Sequence, residues 1–336
     1  MSLSLPSSPG RRAVLGFGAA VALAATLPTG RAEARPKAQP ASLAPAGKPW
    51  IQGVRLHHST VLQSFAFDER HRHMYALQVM EGGVRLPGEP RAYTRAERAA
   101  RGDMCLNRLT MGGALTGNMY LLGFGHGSAL GVEDTARRAG ALWTEWDAQP
   151  ASGYGRGICR FTFTAGRVLT RSSRRIATHR PLPGSTNNQV ALDPAHNRLL
   201  LRYKVGGRPR YRVYGLKQFA AGDLRPVTCF AQPGAELGLP FQGMALYGPY
   251  AYQLLGHGYG ADNPAGSAGD VRLFRIDVRT GRVVQQVLDH TARGLYPREP
   301  EGLAVLRRGG PWLCLGFTQG PPSDRTFSLY YKPIAR

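Results

Sequence analysis

Two short segments place a histidine between glycines: Leu121-Leu122-Gly123-Phe124-Gly125-His126-Gly127 and Leu254-Leu255-Gly256-His257-Gly258-Tyr259-Gly260. An imidazole changes charge near neutral pH, and flanking glycines let the chain turn sharply and a ligand come close. Tyr259 stands two residues from His257, and Arg298 offers a guanidinium that can hold a phosphate or carboxylate through two parallel bonds. His126 or His257 as base, Tyr259 as acid and Arg298 as the neutralising cation form the inventory of an acidic-polysaccharide lyase. Each has a structural counterpart: a tight loop with an incidental His, or an Arg298–Glu301 ion pair that orients a loop. Hydrolysis of a glycoside would need two carboxylates, and no spacing among Glu145, Asp262, Glu299 and Glu301 singles out a pair. The pairs His57-His58 and His71, His73 look like a metal patch only superficially and are expected to be solvent-exposed. No metal and no cofactor is expected.

The elements that position these residues repeat five times. Gln63-Ser64-Phe65-Ala66-Phe67-Asp68, Ser128-Ala129-Leu130-Gly131-Val132-Glu133, Asn188-Gln189-Val190-Ala191-Leu192-Asp193, Gln242-Gly243-Met244-Ala245-Leu246-Tyr247 and Glu301-Gly302-Leu303-Ala304-Val305-Leu306 share one pattern. The first column is polar, the third and fifth are apolar, and the fourth is always Ala or Gly. That is a strand with one face on bulk and a close approach on the other. A second apolar run follows each phrase within a hairpin, then a third alternating run after a longer loop, then a weaker fourth behind turns such as Gly112-Gly113, Ala165-Gly166, Ala221-Gly222 and Thr280-Gly281. A repeat of this length predicts an all-β, five-bladed β-propeller. The last unit lacks its fourth strand, and Gly53-Val54-Arg55-Leu56-His57-His58 near the N-terminus is expected to complete that blade, which removes a long open edge.

Residues 1–34 carry Arg11-Arg12, an apolar stretch from Ala13 to Leu27 and Ala32-Glu33-Ala34, the pattern of a removable twin-arginine-type signal peptide. The apolar stretch is too short to span a bilayer, so no transmembrane anchor is expected. Residues 35–49 read as a flexible linker and 50–336 as the propeller domain. The expected product is secreted or associated with the cell wall, and monomeric.

The formal charge is +22, about +20 once the signal is removed, a field that attracts anionic polymers. A coding bias towards Arg is the competing account, since Lys is scarce. No nucleic-acid reader motif accompanies the charge, so no specific nucleic acid is expected as partner. Cys105, Cys159, Cys229 and Cys314 lie in or beside strands of four blades, without metal spacing. Export of an already folded chain favours buried free thiols over disulfides.

In such a propeller the entries of the first strands and the exits of the second share one face. The first column, Gln63, Ser128, Asn188, Gln242 and Glu301, then forms a ring of hydrogen-bonding groups at the tunnel mouth, with His126 and Arg298 beside it and His257, Tyr259 and Trp146 at second-strand exits. Loops held by a rigid scaffold are where function concentrates. Ligand contacts are therefore expected from Gln63, Asn188, Gln242, Glu301, Arg298 and Trp146, with Trp143 or Trp146 stacking on sugars. Between the second and third strands of the first blade, Glu81 to Gly102 adds a loop with Arg85, Arg91, Arg95, Arg98 and Arg101. Thr94-Arg95-Ala96-Glu97 within it is a capping box for a short helix ending before Gly102. A lid over a polyanion and a solvated helix are both open.

The segments Gly123-Phe124-Gly125-His126-Gly127, Leu130-Gly131-Val132-Glu133, Leu142-Trp143, Phe241-Gln242-Gly243-Met244-Ala245 and Pro300-Glu301-Gly302-Leu303-Ala304 resemble the five-bladed propeller domain of teichoic acid biosynthesis protein C-like proteins and staphylococcal phage receptor-binding proteins. The likeness covers roughly residues 50–334. It implies recognition of a cell-wall glycopolymer and leaves any catalytic mechanism open. Two expectations follow: a module that binds an anionic wall polymer such as teichoic acid, which is preferred, and a lyase or other enzyme degrading such a polymer or another acidic polysaccharide on the same face.

Overall fold

The computed structural model describes residues 39–135 and 139–335. The expected signal peptide, residues 1–34, lies outside the described residues.

The chain is a five-bladed β-propeller. Strand β1 (Lys48–Val54) comes first in sequence but belongs to the last blade. Blade 1 holds β2 (Leu62–Asp68), β3 (His73–Val79), β4 (Met104–Thr110) and β5 (Leu115–Leu122), with helix α1 (Arg95–Arg101) inserted before β4. Blade 2 holds β6 (Gly131–Glu133), β7 (Ala141–Ala148) and β8 (Gly155–Thr162). Strand β9 (Val168–Thr170) then leaves that blade and pairs parallel with β5, Tyr120 opposite Val168, before β10 (Ala177–His179) returns beside β8. The run behind Ala165-Gly166 is thus a strap between two blades, not the fourth strand of its own. Blade 3 holds β11 (Thr186–Asp193), β12 (Arg198–Val205), β13 (Arg208–Gly215) and, after helix α2 (Leu216–Ala220), β14 (Thr228–Ala231). Blade 4 holds β15 (Phe241–Tyr247), β16 (Tyr250–Leu255), β17 (Arg272–Asp277) and β18 (Val283–Leu288). Blade 5 holds β19 (Glu299–Leu306), β20 (Trp312–Gln319) and β21 (Thr326–Pro333), and β1 closes it against β21.

The closing strand differs from the expected Gly53–His58. Lys48 pairs with Tyr331 and Val54 with Phe327, so the pairing ends where the other was to begin. The expected linker is also ordered from Pro40 onward. Pro40 bridges Ala335, Leu43 is fully buried, the Ala41 amide donates to the Ile334 carbonyl, and Lys332 Nζ donates to the Leu43 carbonyl. The apolar side chains explain this, since Leu43 joins the seam between blades 4 and 5 and Ala41 is buried.

Period-two alternation gives each inner sheet two apolar faces, and the core is five seams between neighbouring blades. Along β12, Leu199 and Leu201 enter the seam with blade 2 while Leu200 enters the seam with blade 4. The fourth column of the repeat, Ala66, Gly131, Ala191, Ala245 and Ala304, lines an axial cavity of about 50 Å³. That is room for little more than water. Cys105, Cys159 and Cys314 are buried free thiols as expected, whereas Cys229 is free but exposed.

Candidate functional site

The two glycine-flanked histidine loops share a purpose that their sequences do not state: each wraps a carboxylate. The amides of His126 and Gly127 donate to Glu145 at 3.3 and 3.2 Å, and Gly155 adds a third amide at 2.9 Å. A Cβ on Gly125 would lie 2.5 Å from that of Glu145, so only glycine lets the loop close on this side chain. Likewise the His257 amide donates to Asp270 at 2.8 Å. Glu145 is fully buried, and desolvation pushes its pKa up to about 6 although the amides pull it down.

The two imidazoles differ. His257 is exposed, with Nδ1 2.7 Å from Asp270 Oδ2. His126 is half-buried at the tunnel mouth, makes no hydrogen bond from its ring to a described residue, and stacks on Tyr154 with ring centroids 4.7 Å apart. Burial lowers its pKa, so the ring is neutral at pH 7. Tyr154, in the hairpin between β7 and β8, was not singled out from sequence. Its only signal there is an aromatic residue inside Gly153-Tyr154-Gly155, which any tight hairpin can carry.

Around this pair the mouth is electrostatically divided. On one side Arg202 is buried, donates to Gln189 Oε1 at 2.7 Å and Gln232 Oε1 at 2.6 Å, and lies over Phe241 at 4.0 Å. It has no carboxylate partner among the described residues, and burial lowers its pKa. A buried cation with only amide oxygens around it is costly unless an anion visits. On the other side stand Glu299 and Glu301, both raised, Glu301 well above the usual carboxylate range by burial and then by the Glu299 charge. Tyr154 senses Glu145, Arg202 and Glu301 together, and its hydroxyl is pushed up to about 12 by burial.

The remaining expected residues sort by burial. Gln63 and Gln242 remain partly accessible, and Gln242 Nε2 donates to the Gly256 carbonyl at 2.9 Å. The inner strands β2, β11, β15 and β19 each break register at the first column, which turns that residue out of the ladder. Asn188 is instead fully buried, bonded to Gly155 and Ser185. Arg298 is a correction: it is fully buried, donates to the carbonyls of Thr291 and Asp289 at 2.8 Å each, and packs over Tyr259 and Phe317. It orients a loop and cannot meet a polymer. Tyr259 is buried beneath it and cannot serve as an exposed acid. The proposed lyase set is therefore not assembled at one open surface. Trp143 is fully buried, and the Trp146 ring already carries the Arg180 guanidinium at 4.8 Å, so neither offers a free sugar platform. His58 is buried, not exposed, and burial lowers its pKa to about 4, whereas His71 is bound to Asp68 at 2.8 Å.

Helix α1 forms with the Thr94–Glu97 capping box and ends at Gly102. The insertion's arginines are mostly committed: Arg98 is buried against Glu89 and Asp103, Arg101 meets Asp103, and Arg91, before the helix, meets Glu97. Arg95 remains exposed, and its charge is felt by Glu299. Among the described residues no group of three or more metal-ligating side chains gathers, and no helix is long and apolar enough to cross a membrane.

Residues 61–224 match the family described as the phage 5-bladed beta propeller receptor binding platform domain. The putative major teichoic acid biosynthesis protein C of Bacillus subtilis (strain 168) is 24% identical over 292 residues, 82% of this chain and 60% of that protein. The tail fiber of Staphylococcus aureus phage P68 superposes with a TM-score of 0.62 at 19% identity, over 84% of this chain and 52% of the fiber. The chain thus spans a little over half of either relative, and the fiber shows the fold alone. The resemblance read from the sequence is borne out by all three.

Proposed function

We propose that this chain, a propeller of the receptor-binding-platform kind, is exported and binds an anionic cell-wall glycopolymer such as teichoic acid on the face that carries the tunnel mouth. The observation that carries the reading is the match of residues 61–224 to a domain described by receptor binding, joined by likeness to a protein whose name concerns teichoic acid. The mouth supplies chemistry to suit: the His126 ring and the accessible amides of Gln63 and Gln242 for hydroxyls, with the buried Arg202 charge drawing an anionic group from beneath the surface. A polymer of repeating charge suits a shallow face better than a deep pocket, because several weak contacts act together.

One arrangement favours a second reading. His126, its pKa lowered by burial, stacks on Tyr154, whose hydroxyl burial pushes up to about 12, and Tyr154 also senses the charge of Glu301, a carboxyl whose pKa burial raises. That trio could move protons on a bound polymer. The test for both is incubation of the purified mature protein with wall teichoic acid and with polygalacturonate, following retention and new chain ends. Retention of teichoic acid without new ends supports binding alone. New ends that vanish in His126→Ala support the enzyme, and no retention of either polymer overturns the proposal.

A further inference from the structure

A second charged site lies on the same face, outside the mouth. Asp147, only 6% exposed at its side chain, stands at the end of β7 and is surrounded by three guanidinia. Arg156 donates to it at 2.9 Å, Arg180 donates closely, and Arg171 lies 3.7 Å away. Those three side chains are 39%, 49% and 60% exposed, so one recessed carboxylate holds three accessible cations. The neighbouring residue holds the guanidinium of one and the backbone of another. Trp146 Nε1 donates to the Arg171 carbonyl at 2.9 Å, and Arg180 lies over the Trp146 ring. Asp147 itself has φ of 63°, an uncommon conformation for a residue with a side chain.

Beside this fan opens a groove of about 530 Å³, lined by Arg101, Arg171, Thr170, Ser172 and Pro150 among others. Two of its walls are the strap β9 and the end of α1, the departures from the plain repeat in blades 1 and 2. Arg101 is already balanced by Asp103, which leaves the fan as the local surplus. Two positive charges in excess, guanidinia held in place and hydroxyls nearby make a receptor for an oxyanion, since ordering the donors in advance lowers the cost of binding.

Resting on the proposed polymer binding, we infer that the Asp147 arginine fan and its groove hold an anionic unit of the polymer, a phosphodiester or a carboxylate, at a subsite separate from the tunnel mouth. Trp146 and Asp147 are positioning residues, and Arg156, Arg171 and Arg180 make the contacts. A chain engaged here and at the tunnel mouth is held at two points, which raises avidity without new contact types.

The test is calorimetric titration of the full chain with poly(glycerol phosphate) and, separately, with polygalacturonate, at several salt concentrations. The variants are Arg171→Gln/Arg180→Gln together and Asp147→Asn. The two arginines are exposed, so thermal unfolding of the double variant is expected to match the parent and certifies its fold. Affinity for the preferred polymer is expected to fall on the order of tenfold, and the slope of log affinity against log salt by about two. Asp147→Asn is expected to weaken binding while leaving that slope largely intact, because the charges remain but lose their order. Loss with the phosphate polymer marks the unit as phosphodiester, and loss with polygalacturonate marks it as carboxylate. Binding by the parent with unchanged affinity and slope in the double variant overturns the subsite while the polymer reading stands. Absence of binding by the parent overturns that reading first.

Discussion

At the scale of single residues, the mouth is dominated by groups whose burial opposes their charge. Glu301 is the clearest. Folding raises its pKa above the value near 4.5 of an exposed Glu, so the folded state holds its proton longer than the unfolded state. The contribution is fully present below the unfolded pKa and is lost as pH rises through the folded one. Glu301→Gln is therefore expected to melt higher than the parent at pH 8, with the gap closing towards pH 4.5; a gap that ignores pH would refute the assignment. Burial opposes the Arg298 charge as well, but there hydrogen bonds offset it. Its guanidinium satisfies two carbonyls in a fully buried site beside Asp289, so Arg298→Ala is expected to cost about 3 kcal/mol in chemical denaturation. The fraction still folded should retain polymer as the parent does, and lost retention at unchanged stability would return Arg298 to the site.

At the scale of elements, the repeat is held by close backbone approach near the axis. A Cβ on Gly243 of β15 would come within 2.7 Å of Gly302 Cα of β19, so the second column admits no side chain there. Gly243→Ala is expected to push those strands apart and cost roughly 1–3 kcal/mol, read from the denaturation midpoint at unchanged slope. The far face uses another device. Asp68 accepts from Gly140 at 2.8 Å and Asp193 from Gly248 at 2.7 Å, each carboxylate closing its own hairpin while reaching the next blade. The polar column that ends those strands is thus an inter-blade staple, not a ligand site.

At the scale of the molecule, closure depends on a segment that precedes the first blade. Residues 40–54 cover the open edge of β21 and bury Leu43 and Ile51 in two different seams. A protein starting at Arg55 is expected to lose cooperative unfolding and to self-associate through the bared edge, seen as a shift to higher mass on size-exclusion chromatography. A monomer with the parent's transition would show that the clasp is dispensable. Electrostatics also acts at this scale: with a charge of +22, affinity for any polyanion falls as salt rises, and only a lost salt slope in a named variant localises the contact.

The sequence by itself determined the five-fold repeat, the strand faces, the small residues at the axis, the capped helix in the first blade and the N-terminal closure. All of these follow from local periodicity and from residue types with one strong conformational meaning. It also led to the expectation that His126, Gln63 and Gln242 lie on one face, because a regular repeat fixes which loop ends lie together. The tertiary structure alone decided which polar side chains remain reachable. Arg298, Tyr259 and Asn188 carry functional groups suited to holding a ligand but are buried against internal carbonyls, rings and amides. Tyr154 meets His126, and Arg156, Arg171 and Arg180 meet Asp147, only through the way the hairpins and strap of residues 126–180 fold back on one another. Burial and partner supply depend on what distant segments place alongside a residue, and that is set by packing between blades.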